Sequence, residues 1–331
     1  MTLRTLAQTG AKLLPLVVSC GLLVLIATQF DGFALLTTVD LPLLAAGTAL
    51  AIFIDTTIGA WKWWRVIGLA GLDLSFGRVW RLWTGLLPAT FLAPFQSGHL
   101  LYAVALQRAA GIGFVRSLET VAYDKYLSLV GTFFWIGVGQ LILPADHALA
   151  HPLIAAGAFA VIAFYAVDLR LLGHLARVPF IGSRTALLRL GIGPRDKIEL
   201  LAIAIVYQSS DLISLWIASH CLAIEPDPIV LFGAFPVVLL LTYAPISVSG
   251  FGVREGLIAL FLGDLLGNDG AIACGLLVDW MEYVGPAIFG VVALPYLLRV
   301  LGGRLRVDPP AASEPAESAT QASVAPPTDN V

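Results

Sequence analysis

The chain has 331 residues, of which 58% are hydrophobic and only 12% charged, and its formal net charge is −3 at pH 7. Soluble domains carry about 25% charged residues, so the composition excludes an ordinary soluble fold. With no basic face or run, it also gives no indication of nucleic-acid binding. It predicts an all-α polytopic membrane protein.

Apolar stretches long enough to span a membrane recur along the chain, since a span needs about 20 apolar residues. They cover residues 13–30, 41–60, 119–143, 198–222 and 270–298, with a shorter stretch at 152–168. The first could be a signal peptide, because Arg4 and Lys12 precede it, but Thr28 to Phe30 do not form a clean cleavage site. We favour an uncleaved first span and expect about six full spans.

Cations mark the cytoplasmic side of short loops. The segments before the first span, after the second span and at 168–197 are rich in Lys and Arg, whereas the loops near Asp40 and Asp227 lack them. This pattern places both termini on the cytoplasmic side. The loop 168–197 could also bind anionic lipid or a partner, but we interpret it as an ordinary topology signal.

Two apolar stretches, 82–106 and 229–266, cannot cross the membrane once without breaking this charge pattern. Each is interrupted by helix-breaking residues, "PATFLAPFQSG" in the first and "YAPISVSGFGVREG" in the second. We interpret both as broken, re-entrant helical hairpins that enter from opposite faces. Each contains Ala-Pro followed by Ser-Gly, and each precedes a span with an early acid, Asp124 or Asp279. The pattern predicts an inverted-topology repeat.

Lys125 and Arg254 fall at membrane depth, where an ionisable group costs at least about 2.5–3.5 kcal/mol and by default indicates a functional site. The structural alternative is an ion pair that only joins two helices, and Lys125 could also extend to the headgroups. The acids available as partners are Asp55, Asp124, Asp211, Glu255, Asp264, Asp279 and Glu282. Together these residues predict a polar cavity.

The second break has the composition of an anion site. Gly250, Gly252 and Gly256 permit tight turns, and a helix that begins after the break offers free N–H groups and a partial positive charge. Arg254 adds a planar fork suited to phosphate or carboxylate. The expected contacts with an anionic headgroup are Ser247, Ser249, Gly250, Gly252, Arg254 and Lys125. The expected charge partners or proton carriers are Asp124, Asp211, Glu255, Asp279 and Glu282.

The segment "APISVSGFGVREG" resembles a signature, P-x-S-x-G-G-x-G-x-R-E-G, of the flippase-like membrane family typified by the transmembrane region of lysylphosphatidylglycerol synthases. The resemblance covers roughly residues 10–300. In the first hairpin the matching place, "SGHLLYAV", keeps Gly98 but has His99 and Leu100 in place of an acid. We include Gly98 and His99 among the expected substrate contacts. The acidic-basic pair of the family is similar to Asp124-Lys125.

The resemblance implies a multi-pass protein of the bacterial inner membrane that moves lipids, or lipid-linked glycan intermediates, between leaflets. Its expected ligand is an anionic membrane lipid or a polyprenyl-phosphate-linked lipid, and envelope lipid or glycan biosynthetic enzymes are expected further partners. We expect no catalytic residue, metal or cofactor. We assign residues 1–306 to the membrane domain and the Pro/Ala/Ser-rich residues 307–331 to a disordered tail.

Two other classes of function remain open. An intramembrane lipid-modifying enzyme would use His99, Asp211, Asp279 and Glu282, and a non-catalytic scaffold would recruit envelope lipid or glycan enzymes. His147 and His151 are four residues apart, a spacing that suits a metal on a helix. Without a fourth ligand nearby, we interpret them as solvated side chains.

Overall fold

The structure is a computed structural model that describes residues 35–93, 98–145, 151–166, 192–243 and 250–303, together with Gly21, Val24 and Thr28. Several predicted features lie outside the described residues: most of the first span, most of the loop 168–197, Ser247, Ser249, His147 and the tail 307–331.

The described chain is helical, with short connections and no strand among these residues. The helices are α1 (Leu41–Leu69), α2 (Phe76–Leu92), α3 (Gly98–Ala110), α4 (Phe114–Ile142), α5 (Pro152–Ala166), α6 (Pro194–Cys221), α7 (Pro228–Thr242), α8 (Val253–Leu266) and α9 (Asn268–Leu301). Four described helices, α1, α4, α6 and α9, are long and apolar enough to cross a membrane. The predicted all-α membrane class is therefore confirmed, whereas the number of about six spans stays a prediction.

Local signals define where several of these helices begin. Asp40 precedes α1 and its side chain accepts a hydrogen bond from the N–H of Leu43, while Asp227 precedes α7 and accepts one from the N–H of Ile229. Each cap satisfies a backbone donor that has no partner inside its helix. A proline follows each cap within the first two helical positions, where its fixed φ suits a helix and no N–H is needed.

Both broken stretches consist of two helices that pack against each other, α2 with α3 and α7 with α8. We call these pairs the first and second hairpins. The expectation that Pro88 interrupts the first is wrong, because Pro88 lies inside α2 and the helix ends at Leu92. A Cβ on Gly290 of α9 would lie 2.5 Å from the carbonyl oxygen of Thr84 and 2.7 Å from Pro88 Cδ. The neighbouring helix therefore packs closely over the part of α2 that the proline perturbs.

Two long helices contain a π-helical turn, Ile54–Gly59 in α1 and Trp280–Val284 in α9. Such turns insert one extra residue into a helix and are frequent at functional sites. The first includes Asp55, and the second includes Glu282 and Tyr283. All three side chains line the cavity described below.

Buried apolar side chains of the described residues form three separate cores, of which two are large. Phe235 and Met281 are buried in the core that α6, α7, α8 and α9 share. Trp63, Trp83 and Leu297 are buried in the core that α1, α2, α3 and the end of α9 share. His99 of the first hairpin and Arg254 of the second lie in a cavity to which elements of both large cores contribute.

Candidate functional site

A cavity of about 530 Å³ has walls formed by every described helix from α1 to α9 except α5. Its volume lies within the usual range of about 300–1,000 Å³ for ligand sites. The titratable side chains on its walls include Asp55, His99, Lys125, Asp211, Arg254 and Glu282. The structure thus brings residues that are far apart in the sequence to one polar cavity.

Arg254 lies in the first turn of α8, directly after a tight turn. Gly250 and Gly252 adopt φ values of +89° and +80° in that turn, a conformation that favours glycine. The Arg254 side chain is only 2% exposed, and its Nη1 donates a hydrogen bond of 2.5 Å to Asp279 Oδ1. Nη2 donates to the hydroxyl of Tyr283. Two groups on α9 therefore already hold the guanidinium at the cavity wall.

The backbone donors at the start of α8 are also engaged. The N–H of Gly252 donates to Glu255 Oε2 at 2.8 Å, and the N–H groups of Val253 and Arg254 donate to the carbonyl of Gly250. The expectation of free N–H groups is therefore wrong at these three positions. There are two physical reasons: the side chain of Glu255, at the third helical position, returns to the N–H of the N-cap Gly252, and the turn directs the other two N–H groups to Gly250.

Asp124 is the centre of a buried charge cluster on the other side of the cavity. Lys62 Nζ lies 3.3 Å from Asp124 Oδ1, and the two side chains are 0% and 1% exposed. Lys62 also donates to Ser128 Oγ at 2.5 Å and lies over the ring of Tyr207. Lys125 Nζ lies 3.5 Å from the other Asp124 oxygen, and its side chain is 35% exposed.

Lys62 is a residue that the sequence interpretation missed, because it was grouped with the cations of an inner loop. The structure corrects this: α1 continues to Leu69, well beyond the expected end at residue 60, so Lys62 lies inside the helix. One signal was available. Asp55 and Lys62 are seven residues apart, or about two helical turns, which places a buried acid and a buried base on one face.

Aromatic side chains surround the ammonium of Lys125. Its Nζ lies 5.5 Å from the ring centroid of Trp83 and 5.9 Å from that of Tyr102. His99 packs against Tyr102 and lines the same wall, and its Nδ1 is buried with no hydrogen-bond partner in the described part of the chain. This wall presents a cation and an imidazole nitrogen that is available for a further hydrogen bond.

Acidic residues occupy the wall formed by α1, α6 and α9. Glu282 Oε1 accepts hydrogen bonds from Ser210 at 2.8 Å and from Ser214 at 2.5 Å. Asp55 Oδ1 accepts one from the hydroxyl of Tyr207 at 3.0 Å. Asp211 lies on the same wall. The cavity therefore has a cationic side near the first hairpin and an acidic side along α6 and α9.

The remaining predicted site residues either lie behind the cavity wall or contribute to helix packing. Asp124, Glu255 and Asp279 are buried beside the cavity rather than on its walls. Gly98 lines the cavity, but it also has a packing role, since a Cβ there would lie 2.5 Å from Thr90 Cα. Tyr207 and Tyr283 were missed, because nothing in the sequence around an isolated tyrosine marks it as a partner of a buried charge.

Within the described ranges, no group of three or more His, Cys, Asp or Glu side chains could hold a metal ion. His151 instead lies at the start of α5, where its Nδ1 accepts a hydrogen bond from the N–H of Leu153.

Comparison with known proteins identifies the family. No curated protein matches the chain. Residues 12–290 match the family described as the lysylphosphatidylglycerol synthase TM region. The matched segment covers more than half of the chain and contains every cavity residue named above. The chain is thus an integral membrane protein that belongs to the lysylphosphatidylglycerol synthase TM region family.

Proposed function

We propose that the protein is a lipid flippase or transporter, which moves an anionic lipid or a polyprenyl-phosphate-linked glycan intermediate between the leaflets of a bacterial inner membrane. The observation that carries this proposal is the cavity of about 530 Å³, in which Arg254 of the second hairpin and His99 of the first meet Lys125 of α4. A charged wall inside a membrane bundle is expensive, and it is retained where a polar ligand or ion must pass.

Lys125 is the primary contact for the anion in this proposal. Lys62 is fully buried, so it needs the negative charge of Asp124 as a counter-ion. Lys125 shares that carboxylate, has Asp55 as the other acid nearby, and is the one of the two lysines whose side chain is partly exposed. A headgroup phosphate at this wall could therefore accept a charge-assisted hydrogen bond from the ammonium of Lys125.

Arg254 is the second contact and must first leave Asp279. Its guanidinium lines the cavity, but Asp279 and Tyr283 hold two of its nitrogens. Removing the arginine would leave Asp279 as a buried charge without a counter-ion, which typically costs about 3–5 kcal/mol of stability. Lys125 is therefore the better residue for a test of binding, because its substitution disturbs the fold less.

The order of helices supports a two-part transport mechanism. A long helix, a hairpin and a second long helix occur as α1 to α4 and again as α6 to α9. In each set the last helix carries an acid that binds a basic residue, Asp124 with Lys62 and Lys125, and Asp279 with Arg254. We infer an inverted repeat in which one part rocks against the other. Both termini are cytoplasmic in this arrangement.

The proposal is tested by leaflet-resolved transport of a labelled anionic phospholipid in vesicles that contain the purified protein. We expect Lys125→Gln to slow transport about tenfold or more, because loss of a charge-assisted hydrogen bond of about 1.5–3 kcal/mol weakens headgroup binding. Arg78→Gln is the matched control, since it removes an exposed cation of α2 and should leave the rate unchanged.

Equal rates for wild type and Lys125→Gln, with both proteins folded, would contradict the proposal. Chemical modification of the lipid during the assay would instead support the lipid-modifying enzyme. Equal transport rates, together with co-purification of an envelope biosynthetic enzyme with both wild type and Lys125→Gln, would favour the scaffold.

A further inference from the structure

Three ionisable side chains are packed together where α8 meets α9. Arg254, Glu255 and Asp279 are 2%, 0% and 1% exposed. Two of them are acids and one is a base, so the group carries a net charge of −1 if both acids are ionised. An uncompensated charge is strongly disfavoured in a site that solvent does not reach. One bound proton makes the group neutral.

The hydrogen bonds of the two acids also indicate that one proton is bound between them. Glu255 Oε2 accepts the N–H of Gly252, and Asp279 Oδ1 accepts from Arg254. The other two oxygens, Glu255 Oε1 and Asp279 Oδ2, are buried and have no donor among the described residues. Two ionised carboxylates offer only acceptors, whereas a carboxylic acid supplies the missing donor.

The chain is built to bring these two acids together. Glu255 lies on α8 against the turn of α9 that precedes Asp279. Gly275, one turn before Asp279, makes this approach possible, because a Cβ at that position would lie 2.8 Å from Glu255 Cγ and 3.1 Å from its Cα. The close approach of α8 to α9 next to the acid pair therefore depends on glycine at position 275.

The surrounding titratable groups do not neutralise the pair. Tyr283 and Glu282 on α9, Asp211 on α6 and Tyr243 at the end of α7 are the titratable groups around Arg254 and the two acids. None of these four brings a positive charge. Asp211 and Glu282 lie on the cavity wall, and Glu282 has two serine donors of its own.

We propose that Glu255 and Asp279 form a proton-binding site, in which the O–H of one carboxylic acid donates to the unpartnered oxygen of the other carboxylate. In this state Asp279 still binds Arg254. A second proton would convert the remaining carboxylate to an acid, so that neither acid of the pair holds the guanidinium by a negative charge. Arg254 is then free to turn to an anion in the cavity, and loss of the proton restores the original contact.

This consequence for Arg254 rests on the proposed transport function, whereas the shared proton does not. The shared proton is tested first, by infrared spectroscopy of the purified protein at neutral pH, where a protonated carboxylic acid has a carbonyl stretching band that a carboxylate lacks. We expect Glu255→Gln and Asp279→Asn each to remove the intensity of one carboxylic acid. Both substitutions keep a donor between the side chains, so the fold should survive.

Glu199→Gln is the matched control, because Glu199 is a partly exposed carboxylate that accepts two hydrogen bonds from Arg65. It should leave the band unchanged. A band that neither Glu255→Gln nor Asp279→Asn alters, or no band in the wild type, would overturn the proton site. Thermal unfolding shows whether each variant is folded.

The second measurement concerns coupling. In vesicles with an imposed pH gradient, the transport rate of wild type should follow the gradient, and that of Glu255→Gln should not. A sodium gradient should have no effect on either. Dependence on sodium in place of protons would contradict the coupling. Absence of any transport, with the infrared result intact, would remove the proposed function and leave the proton site.

Discussion

Lys62 and Lys125 contact the same carboxylate, yet the surroundings of the two ammonium groups differ. Lys62 is 0% exposed and depends on Asp124, Ser128 and the ring of Tyr207 for its solvation. Lys125 is 35% exposed and faces the cavity. A buried pair that loses one partner is strongly destabilised, whereas a partly exposed pair contributes little.

We therefore predict that Asp124→Asn lowers the free energy of unfolding by about 3–5 kcal/mol, because it leaves the buried ammonium of Lys62 without the carboxylate that it contacts. Adding Lys62→Met should recover a large part of this loss, since the uncompensated charge is removed. Thermal unfolding of the purified variants measures both effects. The control is Asp124→Asn combined with Lys125→Met, and recovery there as large as with Lys62→Met would contradict this account of the cluster.

At the residue scale, sequence reasoning succeeded where a charge interrupts an apolar run. Lys125 and Arg254 were singled out in this way, and both line the cavity. It failed for Lys62, because a cation at the end of an apolar run has the same pattern whether the helix stops or continues. The partners Tyr207 and Tyr283 could not be predicted, since their role depends on contacts between distant parts of the chain.

At the scale of elements, the first hairpin depends on a close contact that glycine permits. Gly98 is the first residue of α3, and a Cβ on it would lie 2.5 Å from Thr90 Cα in α2. Backbone cannot move aside as the end of a flexible side chain can. The position is therefore needed to bring α3 against α2 and to place His99 on the cavity wall.

Gly98→Ala is predicted to lower the free energy of unfolding by about 1–3 kcal/mol, the usual effect of overpacking a close contact. Gly113→Ala is the control: Gly113 precedes α4 with a negative φ, and nothing lies within 4 Å of the position that its Cβ would occupy. Chemical or thermal unfolding measures both variants. The same loss of stability at both positions would contradict the role of the contact with α2, because reduced flexibility of the unfolded chain would by itself stabilise the protein.

The breaks of the two hairpins were easier to predict than the effect of a proline inside a helix. Both hairpins were expected from the charge pattern and the breaks, and the described residues contain both helix pairs. The helices end at Leu92 and Thr242, where the breaks were expected, but Pro88 and Pro236 are accommodated inside α2 and α7. A helix can include proline when neighbouring packing compensates for the lost hydrogen bond, and such packing is not visible in the local sequence.

At the scale of the whole molecule, composition was sufficient to predict the class of the protein. Few charges and repeated apolar stretches indicate a helical membrane protein, and both the fold and the family match agree. The sequence indicated the cavity only through charged residues that lie within apolar stretches. Its division into a cationic and an acidic side arises from the way all the helices pack, which also determines that Arg254 is bound to α9 before any ligand arrives.

The central claim is that an anionic headgroup binds in the cavity next to Lys125. The most direct test places a photoreactive residue at Leu129, which lines the cavity, and a second at Leu260, which is 74% exposed on the outside of α8. In vesicles, mass spectrometry of the photoproducts should show that position 129 captures an anionic phospholipid in preference to a zwitterionic one, and that Lys125→Gln abolishes the preference. Position 260 should capture both lipids in proportion to their abundance. The same non-selective capture at position 129, or a preference that survives Lys125→Gln, would contradict the claim.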